Sequence, residues 1–234
     1  MNHPVRRRRP ARLAFALRDR RSLFDERDHG LAARLSVAYL AMAAIGGGLA
    51  AKFVEGGPWA IPSPWLELPP LVAASASASA GVALAFALVV SSRYAMARAS
   101  WAGELAEALS PIASRLSDRG IVAVALLSSL GEELLFRALL VPLLGVLGSS
   151  VLFGLIHQVR GPARWVWVAW ATGAGLGFAA LLQAFGSILG PLVAHALVNA
   201  ANLSFLRRLS SGAARSASAG ERLDQASRPP DALD

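Results

Sequence analysis

Residues Gly120 to Val141 read GIVAVALLSSLGEELLFRALLV, an apolar stretch interrupted only by Glu132, Glu133 and Arg137. At 22 residues it is close to the ~20 that a helix needs to cross a hydrocarbon core of about 30 Å. Each charge near the middle of such a helix costs about 2.5–3.5 kcal/mol on insertion scales, so three in six residues mark a functional polar centre rather than decoration. Similar apolar runs lie at 35–54, 71–92, 165–185 and 188–206, and a shorter one at 143–158 between Pro142 and Arg160. The composition agrees, because 55% apolar and 16% charged residues with a mean hydropathy of +0.48 are far from a soluble domain. The expected fold is all-α and polytopic, with about six transmembrane helices around a polar intramembrane cavity.

Charge placement supports six spans. Of the 23 basic residues 22 are Arg, and ten of them precede residue 35. If the N-terminus is cytoplasmic, six spans put 21 of the 23 inside, leaving Lys52 outside and Arg137 within a span. The 16-residue run 143–158 would rise only about 24 Å as a helix, so it either crosses a thinned region or is partly re-entrant. The expected organisation is a basic cytoplasmic tail over 1–34, a transmembrane domain over 35–206 and a disordered cytoplasmic tail over 207–234. The tail is too long and too charged for the n-region of a cleaved signal peptide. The positive-inside bias also accounts for the run Arg6 to Arg9, so no nucleic-acid partner is expected. Trp165, Trp167 and Trp170, like Trp59 and Trp65, read as interfacial belts, the Ser-Ala alternation at 73–80 as close helix packing, and 93–119 as an amphipathic surface segment. There is no Cys, which removes thiol nucleophiles, thiolate metal sites and palmitoylation.

Within the spans the ionisable groups reduce to Glu132, Glu133, Arg137, His157 and His195. Glu133 and Arg137 are four apart with the acid first, the favourable order for a pair on one helix face. Glu132 points about 100° away and is left as the free carboxylate. His195 and Asn199 repeat the four-residue spacing, with Asn202 three further on, and Phe153 and His157 do so in the short run. His157, three residues from Arg160, is expected to lie shallower than Glu132. A carboxylate, two imidazoles and a carboxamide are the parts needed to hydrolyse an acyl bond, by general base catalysis with oxyanion donors. The same residues, Glu132, His157 and His195, are also the ligand types of a His2Glu zinc site, although HExxH is absent.

Glu132-Glu133-Leu134-Leu135-Phe136-Arg137 resembles the EExxxR motif of the CPBP family of intramembrane endopeptidases, relatives of type II CAAX prenyl proteases and of bacteriocin-processing or immunity proteins. Phe153 to His157 resembles its FxxxH motif and His195 to Asn199 its HxxxN motif, in the family's order, and the resemblance covers residues 120–206. It implies an enzyme that cleaves membrane-associated proteins or peptides, with Glu132 as base, His157 as its partner on water, and His195 and Asn199 as oxyanion donors. Glu133, Arg137 and Phe153 would support the site. The family is often labelled metalloprotease, but Asn199 is a poor zinc ligand and a good donor, which favours a mechanism without a cofactor over the zinc alternative. The expected location is the bacterial inner or plasma membrane with both termini cytoplasmic. Two other readings carry distinguishing signs: a non-catalytic immunity or scaffold relative should have lost a motif residue, and a proton-coupled transporter should show an internal repeat. The sequence shows neither sign.

Overall fold

The computed structural model describes residues 11–61 and 63–227, with side chains from 30 to 212. The run Arg6 to Arg9 lies outside the described residues. The chain forms α1 (Ala11–Phe53), α2 (Pro70–Arg98), α3 (Ser100–Ala113), α4 (Asp118–Glu133), a π-helical stretch (Leu134–Leu140), α5 (Val141–Ile156), α6 (Arg164–Phe185) and α7 (Leu189–Ser227). Five helical stretches, 30–53, 70–98, 118–156, 164–185 and 189–212, are long and apolar enough to cross a membrane. The all-α, membrane-spanning fold is as the sequence implies. α7 continues to Ser227. Asp118 binds Arg207, and the Leu116 carbonyl accepts from Arg207 Nη1, which ties α7 to the start of α4.

The short run 143–158 is no separate spanning helix. It continues from α4 through the π stretch, but Gly145 breaks α5 with φ 75° and ψ 169°, a region that is essentially glycine-only. The chain doubles back there. Ser149 Oγ donates to the Phe136 carbonyl at 2.8 Å across 13 residues, which a straight helix would hold about 20 Å apart. The returning leg, 146–156, rises only about 17 Å, so it re-enters about half of the core and leaves the rest of the pass to the connection 157–163.

Helix contacts give the direction of every pass. α1 and α4 run the same way, with Gly120 against Ala32 and Gly131 against Tyr39. α4 and α7 are antiparallel, pairing Ser128 with Asn199 and Glu133 with His195. α2 and α7 run the same way, from Ser77 beside Gly190 to Arg93 beside Asn202. α5 and α6 are antiparallel, with Gly154 on Thr172 and Phe153 on Gly175. With the half-pass counted, six passes alternate in direction, so α1 starts and α7 ends on the same side.

The Ser-Ala stretch is indeed a close-packing face. A Cβ on Gly81 would fall 2.3 Å from the Gly190 carbonyl, and Ser77 Oγ accepts from the Gly190 amide at 3.0 Å. α3 lies across the other end, burying Ala106 and Ala113 against Leu206. The Pro-rich loop between α1 and α2 is pinned to the α6–α7 turn, through Ile61 N to Gly186 O and Trp65 N to Gln183 O.

Gly145→Ala should therefore lower the thermal stability of the protein in detergent by about 1–3 kcal/mol, the usual cost of forcing such a backbone on an L-residue. Gly173→Ala, which meets nothing within 4 Å, should leave stability unchanged or slightly raised. Equal melting temperatures for the two variants would show that the fold-back is not strained at this point.

Candidate active site

Glu132 and Glu133 end α4, and the backbone widens into the π stretch immediately after them. Such widenings are frequent at functional sites. Glu133 and Arg137 form the expected pair, Oε2 to Nε at 3.2 Å, and both are fully buried. Arg137 also donates to the Gly175 carbonyl at 3.4 Å and stands 4.3 Å over the Phe153 ring and 5.1 Å over Phe178. Burying that guanidinium is tolerable because a carboxylate, a carbonyl and aromatic faces surround it.

Glu133 has a second partner that spacing on one helix cannot reveal. Its Oε1 is 2.7 Å from His195 Nδ1 on α7. A carboxylate oxygen accepts, so Nδ1 carries the hydrogen and Nε2 is the nitrogen left facing the site. Phe178 stacks on this imidazole at 5.0 Å and 21°. His157 is fixed in the same manner, its Nδ1 donating to the Phe153 carbonyl at 2.7 Å and its ring lying 4.4 Å from Phe153. Both histidines thus turn Nε2 the same way.

They turn it toward Glu132. Oε2 of Glu132 is 3.5 Å from His157 Nε2 and 3.7 Å from His195 Nε2, and this buried oxygen has no hydrogen-bond partner among the described residues. His157 is level with Glu132, not shallower, because the fold-back at Gly145 returns the chain to the depth it left. With its side chain 24% exposed, His157 is the most open of the three groups and connects the site to the 157–163 loop.

Of the sequence candidates, Glu132, Glu133, Arg137, Phe153, His157 and His195 come together. Asn199 stands one turn further along α7, its Nδ2 donating to Ser128 Oγ at 2.9 Å. Asn202 faces elsewhere, toward Arg93. Ser128, Phe178 and the Gly175 carbonyl are parts of the surroundings that sequence reasoning missed; nothing separates them from other small or apolar residues until the helices are packed. Among the described residues no group of three or more His, Cys, Asp or Glu side chains is arranged to hold a metal ion.

The two glutamates should separate on mutation. Glu133→Ala would strand both Arg137 and His195 Nδ1, and should destabilise the protein by roughly 3–5 kcal/mol, as loss of one partner from a dry ion pair does. Glu132→Gln keeps shape and leaves that network intact, so its melting temperature should stay near that of the parent. If instead Glu132→Gln unfolds the protein while Glu133→Ala remains stable, the two roles are exchanged.

Comparison with known proteins bears on the same residues. No curated protein and no solved structure matches the chain at a significant level. Residues 119–201, which carry all three motifs and every member of the cluster around Glu132, match the model of the family described as type II CAAX prenyl endopeptidase Rce1-like, and the resemblance read from EExxxR, FxxxH and HxxxN is borne out over that segment.

Proposed function

We propose that the protein is an intramembrane endopeptidase of the CAAX-protease type, which hydrolyses a peptide bond in a membrane-associated protein or peptide. The observation that carries the reading is a convergence: Glu132 Oε2 faces the Nε2 atoms of both His157 and His195, and each imidazole is held through its own Nδ1–H. A water admitted among them donates one hydrogen to Glu132 and the other to His157.

In this mechanism Glu132 takes a proton from the water as its oxygen attacks the scissile carbonyl carbon. The oxyanion of the tetrahedral intermediate is stabilised by hydrogen bonds from His195, which the adjacent Glu133 carboxylate supports as an imidazolium, and from the remaining N–H of Asn199. Collapse breaks the C–N bond, and the proton held by Glu132 goes to the departing amine, leaving a carboxylic acid and an amine. Glu133, Arg137 and Phe153 position this machinery without touching substrate. No metal takes part. With both termini cytoplasmic, as the arginine distribution implies, the site opens toward the cytoplasmic side through the 157–163 loop.

Purified protein should cleave a membrane peptide at a rate that falls by 10² to 10⁴, roughly the range for losing a general base, in Glu132→Gln. Strong chelators should leave that rate unchanged. Loss of turnover in chelator with recovery in zinc would replace the water-activation scheme by a zinc one.

A further inference from the structure

A cleft of about 550 Å³ lies between α2, α6 and α7, with α3 across it. Trp101, Trp167, Trp170 and Phe205 make its walls aromatic, and Arg93 is its charged lining residue. The belt reading of the tryptophans fits Trp165, which is exposed, but Trp167 and Trp170 line this cleft. Asn202, placed by its spacing on the same polar face as His195 and Asn199, serves Arg93 instead. Arg93 Nη1 donates to Asn202 Oδ1 at 3.1 Å, Nη2 donates to the Ala201 carbonyl at 3.0 Å, and the guanidinium lies 3.8 Å over the Phe205 ring. Ser92 Oγ adds a second hydrogen bond to Asn202 at 3.3 Å.

Depth puts this arginine at a membrane boundary. Arg93 follows Pro70 by 23 residues in α2, about 34 Å of rise against about 30 Å for a hydrocarbon core, and no charged side chain precedes it in the helix. It therefore stands where acyl chains give way to headgroups. A guanidinium has five N–H donors, and here two are engaged, both by neutral oxygens. Among the described residues no carboxylate pairs with it. An arginine that merely snorkels to water needs no such fixing. A planar fork with donors to spare, already held in one orientation, is matched to the oxygens of a phosphate.

Two features say what carries that phosphate. The free donors border aromatic and apolar walls, so the ligand has an apolar chain as well as a charge. The second is the side of the membrane. α2 and α7 run the same way, and Arg207 of α7 meets Asp118 at the start of α4, so Arg93, Arg119 and Arg207 share one face of the protein. The arginine distribution makes that face cytoplasmic, the leaflet surface on which anionic lipids concentrate. We infer that the cleft is a binding site for an anionic phospholipid, its phosphate held by Arg93 and one acyl chain lying along the tryptophans. Asn202 and Phe205 hold Arg93 in place for this ligand. The lipid site adjoins the candidate active site through Trp167, which stands edge-on to His157 at 6.4 Å, but it takes no part in the hydrolysis and stands whether or not that reading holds.

The test is lipid titration into the full chain purified in detergent, with apparent affinities read from the saturable rise in melting temperature. The probes are dioleoylphosphatidylglycerol, dioleoylphosphatidylcholine and inorganic phosphate. Phosphatidylglycerol should bind more tightly than phosphatidylcholine by roughly ten- to a hundredfold, the range for hydrogen bonds to a charged group, and inorganic phosphate should neither shift the melting temperature nor displace the lipid. Arg93→Gln should abolish the preference. Arg93→Lys keeps the charge while giving up the fork, so it should fold like the parent and show a reduced preference. Arg98→Gln removes a neighbouring cation that stacks on Tyr94 outside the cleft lining, and should leave the preference intact. Equal affinity for the two lipids overturns the inference, as does a preference that survives Arg93→Gln. Loss of the preference in Arg98→Gln to the same extent would reduce it to general surface attraction and overturns it too. Displacement of the lipid by inorganic phosphate would make Arg93 a site for a free anion, and also overturns it.

Discussion

The buried contact between Glu133 and Arg137 holds the rest of the molecule in register. On its own it would be a poor source of stability, because removing two charges from water costs about as much as their attraction returns. Its value lies in what else it ties down. The same carboxylate fixes His195 from α7, and the same guanidinium reaches Gly175 on α6 and the rings of Phe153 on α5 and Phe178 on α6. Four helical segments thereby meet at one fully buried charge pair. In a lipid setting, where apolar packing between helices gains little over packing against lipid, such a polar junction decides which helices associate and at what depth.

Catalytic potential follows from this arrangement by exclusion. Glu133 is engaged by Arg137 and His195, whereas its neighbour Glu132 meets only the two imidazoles, at 3.5 and 3.7 Å. Two adjacent residues of identical chemistry thus acquire different roles through their angular offset of about 100° on the helix. The fold-back at Gly145 supplies the second half of the site, since only a chain that reverses inside the membrane can bring His157 beside a residue 25 positions earlier. The half-length return leg leaves the loop 157–163 near that depth.

Much of this was legible in the sequence. Hydropathy revealed the apolar runs, and four-residue spacing found Glu133 with Arg137 and set Glu132 apart. Those are local signals, carried by one helix at a time. The Glu133–His195 bond joins residues 62 positions apart and has no such signature. Gly145 looked like any other glycine in a membrane run until its dihedral angles showed a reversal, so His157 was placed too shallow and the short run was counted as a span. Positive charge tracks how often a chain changes direction, not how deep each pass goes. Asn202 was misgrouped for a related reason: periodicity places a residue on a face but does not say which neighbour that face meets.

The most direct measurement is a double-mutant cycle on the junction, reading unfolding free energies in detergent for Glu133→Gln, Arg137→Gln and the double variant. If the two charges stabilise one another as partners in a dry network, each single variant leaves an uncompensated group, and the double variant is destabilised by less than the sum of the singles, with a coupling of roughly 1–3 kcal/mol. Additive losses would mean that the two residues act independently, and would contradict the account of this pair as the contact on which the site is built.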